Sequence, residues 1–191
     1  IFVDTYTQTK KLKSMKLYLY IIILLLAVAC YPTNKPTLPS GLQQADSIYT
    51  QADFRTYGDY YHSNHQVYAI DLLSEGLQYD SLWRITGSGC NLFLSDIFVA
   101  SDNTMRLPAG TYEMDSAAKE MCFLCGMYFE GNVTGTYLLQ IEEDQIQRIT
   151  LFTSGTMKIN YEGDDVLLDF NLYTEDSTYY HATYKGPAMY R

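Results

Sequence analysis

From Asp53 onward, apolar and polar positions alternate. In the run Val166-Leu167-Leu168-Asp169-Phe170-Asn171-Leu172-Tyr173, one face takes Val166, Leu168, Phe170 and Leu172, and the other takes Leu167, Asp169, Asn171 and Tyr173. Residues 136–141 put Tyr137, Leu139 and Ile141 on one side, Ile149 and Leu151 continue the rhythm, and Met157, Ile159 and Tyr161 return to it. A period of two is the signature of a strand with one buried face. Polar turn segments separate these runs: Glu142-Glu143-Asp144-Gln145, Ser154-Gly155, Glu162-Gly163-Asp164-Asp165 and Glu175-Asp176-Ser177. Connections this short imply antiparallel neighbours, so the second half reads as a five-strand meander. Upstream, residues 54–61, 66–73, 91–99, 110–114 and 123–129 supply further strands, and 115–120 is expected to form one helical turn capped by Asp115. About ten strands predict an all-β domain, either an antiparallel β-sandwich or an up-and-down β-barrel; closure would remove exposed edges.

The first fifty residues follow another pattern. Lys10, Lys11, Lys13 and Lys16 mark a basic stretch, and an uncharged run from Leu17 to Ala29 follows it. A spanning helix needs about 20 apolar residues. This shorter run matches the hydrophobic region of an export signal. The segment Leu26-Ala27-Val28-Ala29-Cys30 resembles the lipobox of bacterial lipoproteins, with the small Ala29 before the cysteine and Ala27 where leucine is more usual. The resemblance implies lipidation of Cys30 and cleavage before it. Met15 opens a compact signal, so residues 1–14 read as an upstream extension. From Tyr31 to Ala52, Pro32, Pro36 and Pro39 stand among Thr, Ser, Asn and Gln, which predicts a flexible tether. The expected organisation is extension and signal over 1–29, lipidated cysteine and tether over 30–52, and an all-β domain over 53–191.

Charge narrows the partners. The chain has 13 Lys+Arg and 22 Asp+Glu. Residues 1–29 hold four of those basic residues and one acidic residue, Asp4, so the remainder carries 9 and 21, a net charge of −12. Nucleic acid needs basic clusters against its phosphates, and this body offers none. An anionic bilayer would repel the body as well, so the expected membrane contact is the lipid anchor.

The body is similar to recurrent β-domains of uncharacterised lipoproteins from Bacteroidetes. The resemblance rests on the order of Gly58-Asp59-Tyr60-Tyr61, Leu107-Pro108-Ala109-Gly110-Thr111-Tyr112, Gly155-Thr156-Met157-Lys158-Ile159 and Tyr184-Lys185-Gly186-Pro187. It implies location and fold, and no chemistry. With no acidic residue among Tyr31-Pro32-Thr33-Asn34-Lys35, it favours the periplasmic face of the outer membrane over the cell surface. Asp-Ser triplets in such bacteria also resemble O-glycosylation sites, which marks Ser47, Ser81, Ser116 and Ser177.

Candidate chemistry is thin. Cys122-Phe123-Leu124-Cys125 has the spacing of a zinc or dithiol pair. Its flanks are apolar and strand-like, however, and a strand sends residues three apart to opposite faces. Buried structural cysteines are the expectation, with no cofactor, and Cys90 is a further thiol whose pairing the sequence leaves open. His62, His65 and His181 adjoin no nucleophile motif. The turn carboxylates Glu142, Glu143, Asp144, Asp164 and Asp165 read as solubilising, with a hydrolase as the third-ranked use. The chain's 19 tyrosines are its distinctive feature. Aromatic faces stack on sugars and anchor interfaces, so Tyr57, Tyr60, Tyr61, Tyr179, Tyr180 and Tyr184 are the candidate ligand-binding residues. Tyrosine also simply fills half-exposed strand positions. The function expected is a non-catalytic binding or structural role at the envelope, with a glycan, small-ligand or protein partner.

Overall fold

The computed structural model describes residues 49–100 and 106–191. The signal, Cys30, Ser47 and nearly all of the tether lie outside the described residues. Those described form fourteen strands and no helix: β1 (Tyr49–Gly58), β2 (His65–Ser74), β3 (Leu77–Tyr79), β4 (Ile85–Gly87), β5 (Gly89–Ala100), β6 (Gly110–Met114), β7 (Cys122–Phe123), β8 (Met127–Phe129), β9 (Asn132–Thr134), β10 (Thr136–Glu142), β11 (Gln145–Leu151), β12 (Ser154–Glu162), β13 (Asp165–Tyr173) and β14 (Tyr179–Tyr190). Ten of them make one sheet in the order β11-β10-β5-β2-β1-β14-β13-β12-β6-β7, and β7 also pairs with β5. That last pairing closes β5-β2-β1-β14-β13-β12-β6-β7 into a ring of eight. The all-β expectation therefore resolves to a barrel. It is not a plain up-and-down one, because β1 runs parallel to β14 and β6 parallel to β7.

The expected five-strand meander is two pieces. β12, β13 and β14 pair in succession, while β10 and β11 form an arm that branches from β5 outside the ring. At Phe152 the chain leaves β11 and crosses to the far side: the Phe152 amide donates to Thr136, and the next amide, Thr153, donates to Tyr173. Phe152 itself is buried in the core. Residues 115–120 form no helix; the Asp115 carboxylate caps a turn by accepting from the Ala117 amide at 2.9 Å. β1 begins at Tyr49, and both Tyr49 and Ala52 pack into the core, which is why the strand takes in residues next to the proline-rich stretch. Residues 123–129 are broken between β7 and β8, and Tyr60 and Tyr61 belong to the turn after β1.

An eight-stranded barrel has an interior just wide enough for side chains to fill. Here Phe54, Tyr68, Tyr112, Phe123, Phe152 and Phe170 are each under 2% exposed and share one core with Ile70, Leu72, Leu92 and Leu168. The outer face differs around the ring. On β13 it carries half-buried residues in strict alternation with buried ones. On β2, by contrast, all of Val67 to Ser74 are buried, so this strand is covered from inside and outside alike.

Candidate functional site

The outer cover of β2 forms two clefts that meet at Phe93. In one, of about 300 Å³, Val67 and Phe93 sit with Tyr57, Tyr60, Tyr61, Ser95, Asp96, Val133 and Thr134. Asp96 occupies a left-handed conformation (φ 54°) at an irregularity in β5, where the β2 partners skip from Tyr68↔Ile97 to Ile70↔Leu94. This bulge aims its carboxylate outward. The Tyr61 hydroxyl donates to Asp96 Oδ1 at 2.7 Å and Ser95 Oγ donates to Oδ2 at 2.7 Å. Each oxygen keeps lone-pair capacity for a further hydroxyl donor. Burial, and then the bond to Asp96, holds the Tyr61 phenol well above its usual range, so it stays a donor. Tyr60 packs edge-on against Tyr61 at 5.0 Å, and Tyr57, Tyr60 and Tyr61 remain 48%, 66% and 47% exposed.

The second cleft, of about 400 Å³, lies between the β3–β4 hairpin and the β10–β11 arm. Its floor is polar. Asp71 accepts from Arg55 Nη2, from Asn91 Nδ2 and, at 2.8 Å, from the Tyr79 hydroxyl. Beside it, Asp53 is fully buried, with Arg191 Nε at 2.9 Å and Arg55 Nε at 3.4 Å. The walls are apolar and aromatic: Phe93 against Tyr137 with ring centres 5.2 Å apart, then Ile85, Leu139 and Trp83. Burial, and then the Asp71 charge, pushes the Tyr137 phenol up to about 12. Three backbone amides tie the hairpin to the arm, Gly87 donating to the Asp144 carboxylate, Asp144 to the Gly87 carbonyl at 3.0 Å and Glu143 to Ser88 Oγ.

The tyrosines singled out from sequence fall into two groups. Tyr57, Tyr60 and Tyr61 share the first cleft. Tyr180 and Tyr184 instead serve the core: the Tyr180 hydroxyl bonds that of Tyr49 at 2.6 Å, and Tyr184, 3% exposed, donates to the Pro187 carbonyl. Tyr179 lies on the other wall, donating to Asn171 Oδ1 and stacking on His181. Sequence reading passed over Arg55, Asp71, Trp83, Asn91, Phe93, Asp96 and Tyr137. The available signal was Val67-Tyr68-Ala69-Ile70-Asp71-Leu72-Leu73, a run too apolar for one buried face, with an acid inside it.

The other candidates are dispersed. Cys122 is buried on β7 and Cys125 lies buried after it. Cys90 and Cys122 hold free thiols, and burial pushes both up, away from the reactive thiolate form. No group of three or more His, Cys, Asp or Glu among the described residues is placed to hold a metal ion. The turn acids separate between the β10–β11 and β12–β13 connections, whose strands do not neighbour one another in the sheet. Ser81 and Ser177 are exposed in turns, and Ser116 is half-buried. No helix among the described residues is long and apolar enough to cross a membrane. A comparison with protein-family models finds no match, and neither the curated proteins nor the solved structures contain a significant one.

Proposed function

We propose that this chain is a non-catalytic binding domain that engages sugar through the cleft of Tyr57, Tyr60, Tyr61 and Asp96. The filled barrel carries the reading. Among the described residues, aromatic side chains pack the barrel interior, and both clefts open on its outer face. The first cleft then supplies what a sugar ring needs, an exposed aromatic face for its C–H side and a fixed carboxylate for its hydroxyls. The reading also places the domain at the outer membrane of a Bacteroidetes-like cell, periplasmic side, anchored through acylated Cys30. No catalytic role is assigned to any residue.

Titration calorimetry against glucose, galactose, mannose, N-acetylglucosamine and their disaccharides tests this. At least one of these is expected to bind with millimolar affinity or better, and Tyr61→Ala and Asp96→Ala are each expected to weaken it about tenfold or more. Binding that survives both substitutions, or no binding to any sugar, would refute the assignment.

A further inference from the structure

The two clefts lie on one face. Tyr57 and Arg55 alternate with inward Phe54 on β1, Val67 and Asp71 do so with inward Tyr68, Ile70 and Leu72 on β2, and Asn91, Phe93 and Ser95 do so with Leu92 and Leu94 on β5. Phe93 lines both clefts. From Ser95 to Asn91 the β5 backbone alone covers about 13 Å at the usual strand rise, and the tyrosine turn and the β3–β4 hairpin extend beyond each end.

We infer that the joined clefts form one groove for an extended, uncharged polysaccharide chain, with a far subsite made by Trp83, Tyr137, Asn91 and Arg55. This rests on the sugar-binding reading of the first cleft and goes beyond it in substrate class. Aromatic side chains recur along the groove, Tyr60 and Tyr61 at one end, Phe93 and Tyr137 in the middle, Tyr79 and Trp83 at the other. Polar groups stand between them: Asp96, then Arg55 and Asn91, both held by the buried Asp71. Stacking faces that alternate with hydrogen-bonding groups match a chain of linked rings, each with an apolar side and a hydroxyl rim.

Charge selects among polymers. The Arg55 guanidinium is shared by Asp53 and Asp71, and Arg191 also faces Asp53, so the floor is compensated. The carboxylates of Asp96 and Asp144 line the two clefts near opposite ends. A uronic-acid or sulfated polymer would meet acid at both ends and no uncommitted cation. An extended peptide fares poorly too. It gains affinity by pairing with a sheet edge, and this groove crosses the face of paired strands.

Trp83 is built into the far end. It holds a left-handed backbone conformation (φ 61°), costly for a bulky aromatic residue. Asp80 maintains it by accepting the Leu82 and Arg84 amides at 2.8 and 2.9 Å and by pairing with the Arg84 guanidinium. Arg191 lies 3.4 Å from the Trp83 ring centre, yet the residue stays 63% exposed. A side chain held out this way is a pre-set platform, ordered before ligand arrives.

Length-dependent binding is the test. Linear cello-, manno- and malto-oligosaccharides, from disaccharide to hexasaccharide, are titrated against the full chain and its Trp83→Ala and Tyr137→Ala variants; Trp83 is exposed, so its variant folds. In one series affinity is expected to rise about tenfold or more from disaccharide to hexasaccharide. Each variant is expected to remove most of that gain and to leave disaccharide binding unchanged. A flat length series, or a hexasaccharide affinity indifferent to Trp83, overturns the extended groove while the single-cleft reading stands. Tighter binding of oligogalacturonate, or of an unstructured peptide, overturns the assignment of a neutral glycan. Failure of every sugar, disaccharides included, removes both readings.

Discussion

Asp53 and Asp71 face the same side of the sheet one strand apart, and the environment of each gives it a different part. The Asp71 carboxylate is fully engaged by three side-chain donors. Arg55 would keep Asp53, but the Tyr79 hydroxyl and the buried Asn91 amide would lose their acceptor, so Asp71→Ala is expected to cost about 1–3 kcal/mol in urea unfolding. Asp53 is buried as deeply, but neither of its oxygens receives a well-aligned hydrogen bond. Burial outweighs the attraction of Arg191 and Arg55, and Asp71 adds repulsion, so its carboxyl is held above the ordinary 3.8. The folded state then binds this proton more tightly than the unfolded state. The contribution of Asp53 to stability therefore falls as pH rises from 3.8 through the raised value. Asn does not titrate, so Asp53→Asn is expected to gain on the wild type across that window and then level off. Paired urea midpoints measured from pH 3.5 to 8 check it; a variant that loses ground as pH rises would mean that the arginines outweigh burial.

Among the elements, the turn that launches β10 is the tightest. Gly135 sits at φ +76°, and a Cβ there would overlap the carbonyl oxygen of Cys125. Gly131, at φ +80° in the β8–β9 turn, has open space around it. Gly135→Ala is thus expected to cost about 3 kcal/mol or more, and Gly131→Ala about 1 kcal/mol, the backbone strain alone. Thermal unfolding of the two variants separates overlap from strain. What was legible in the sequence divides along similar lines. β12, β13 and β14 could be read from alternation and turns, because their pairing is local and one face is buried. β3, β4 and β9 are three residues each, too short for any period to show. The break of the meander at Phe152 left no local mark, since what separates β11 from β12 is where each finds its partner. The groove was illegible for the same reason: Tyr61, Phe93, Trp83 and Tyr137 lie far apart in the chain, and only strand pairing gathers them.

For the whole molecule, the barrel and the proposed anchor occupy separate stretches of sequence. Residues 30–191 carry a net charge of −12, which gives the body no electrostatic attraction to an anionic lipid surface, so the proposed attachment rests on Cys30. Cys30→Ala is expected to release the protein into the soluble fraction without acyl label while the domain folds normally, as circular dichroism of the released material would show. Membrane-bound, acyl-labelled protein from that variant would contradict the anchor.

The parallel pairing of β1 with β14 sets Ala52 beside Ala188 and Phe54 beside Tyr190. The ring's first strand thus waits for residues 179–190, the last of the fourteen strands described. Until residues 179–190 have emerged, β1 lacks one neighbour, β13 lacks another, and the core stays open between them. Contacts so distant in sequence form slowly. Under the proposed export, late closure is useful: a chain still lacking β14 presents no finished barrel to jam a translocation pore.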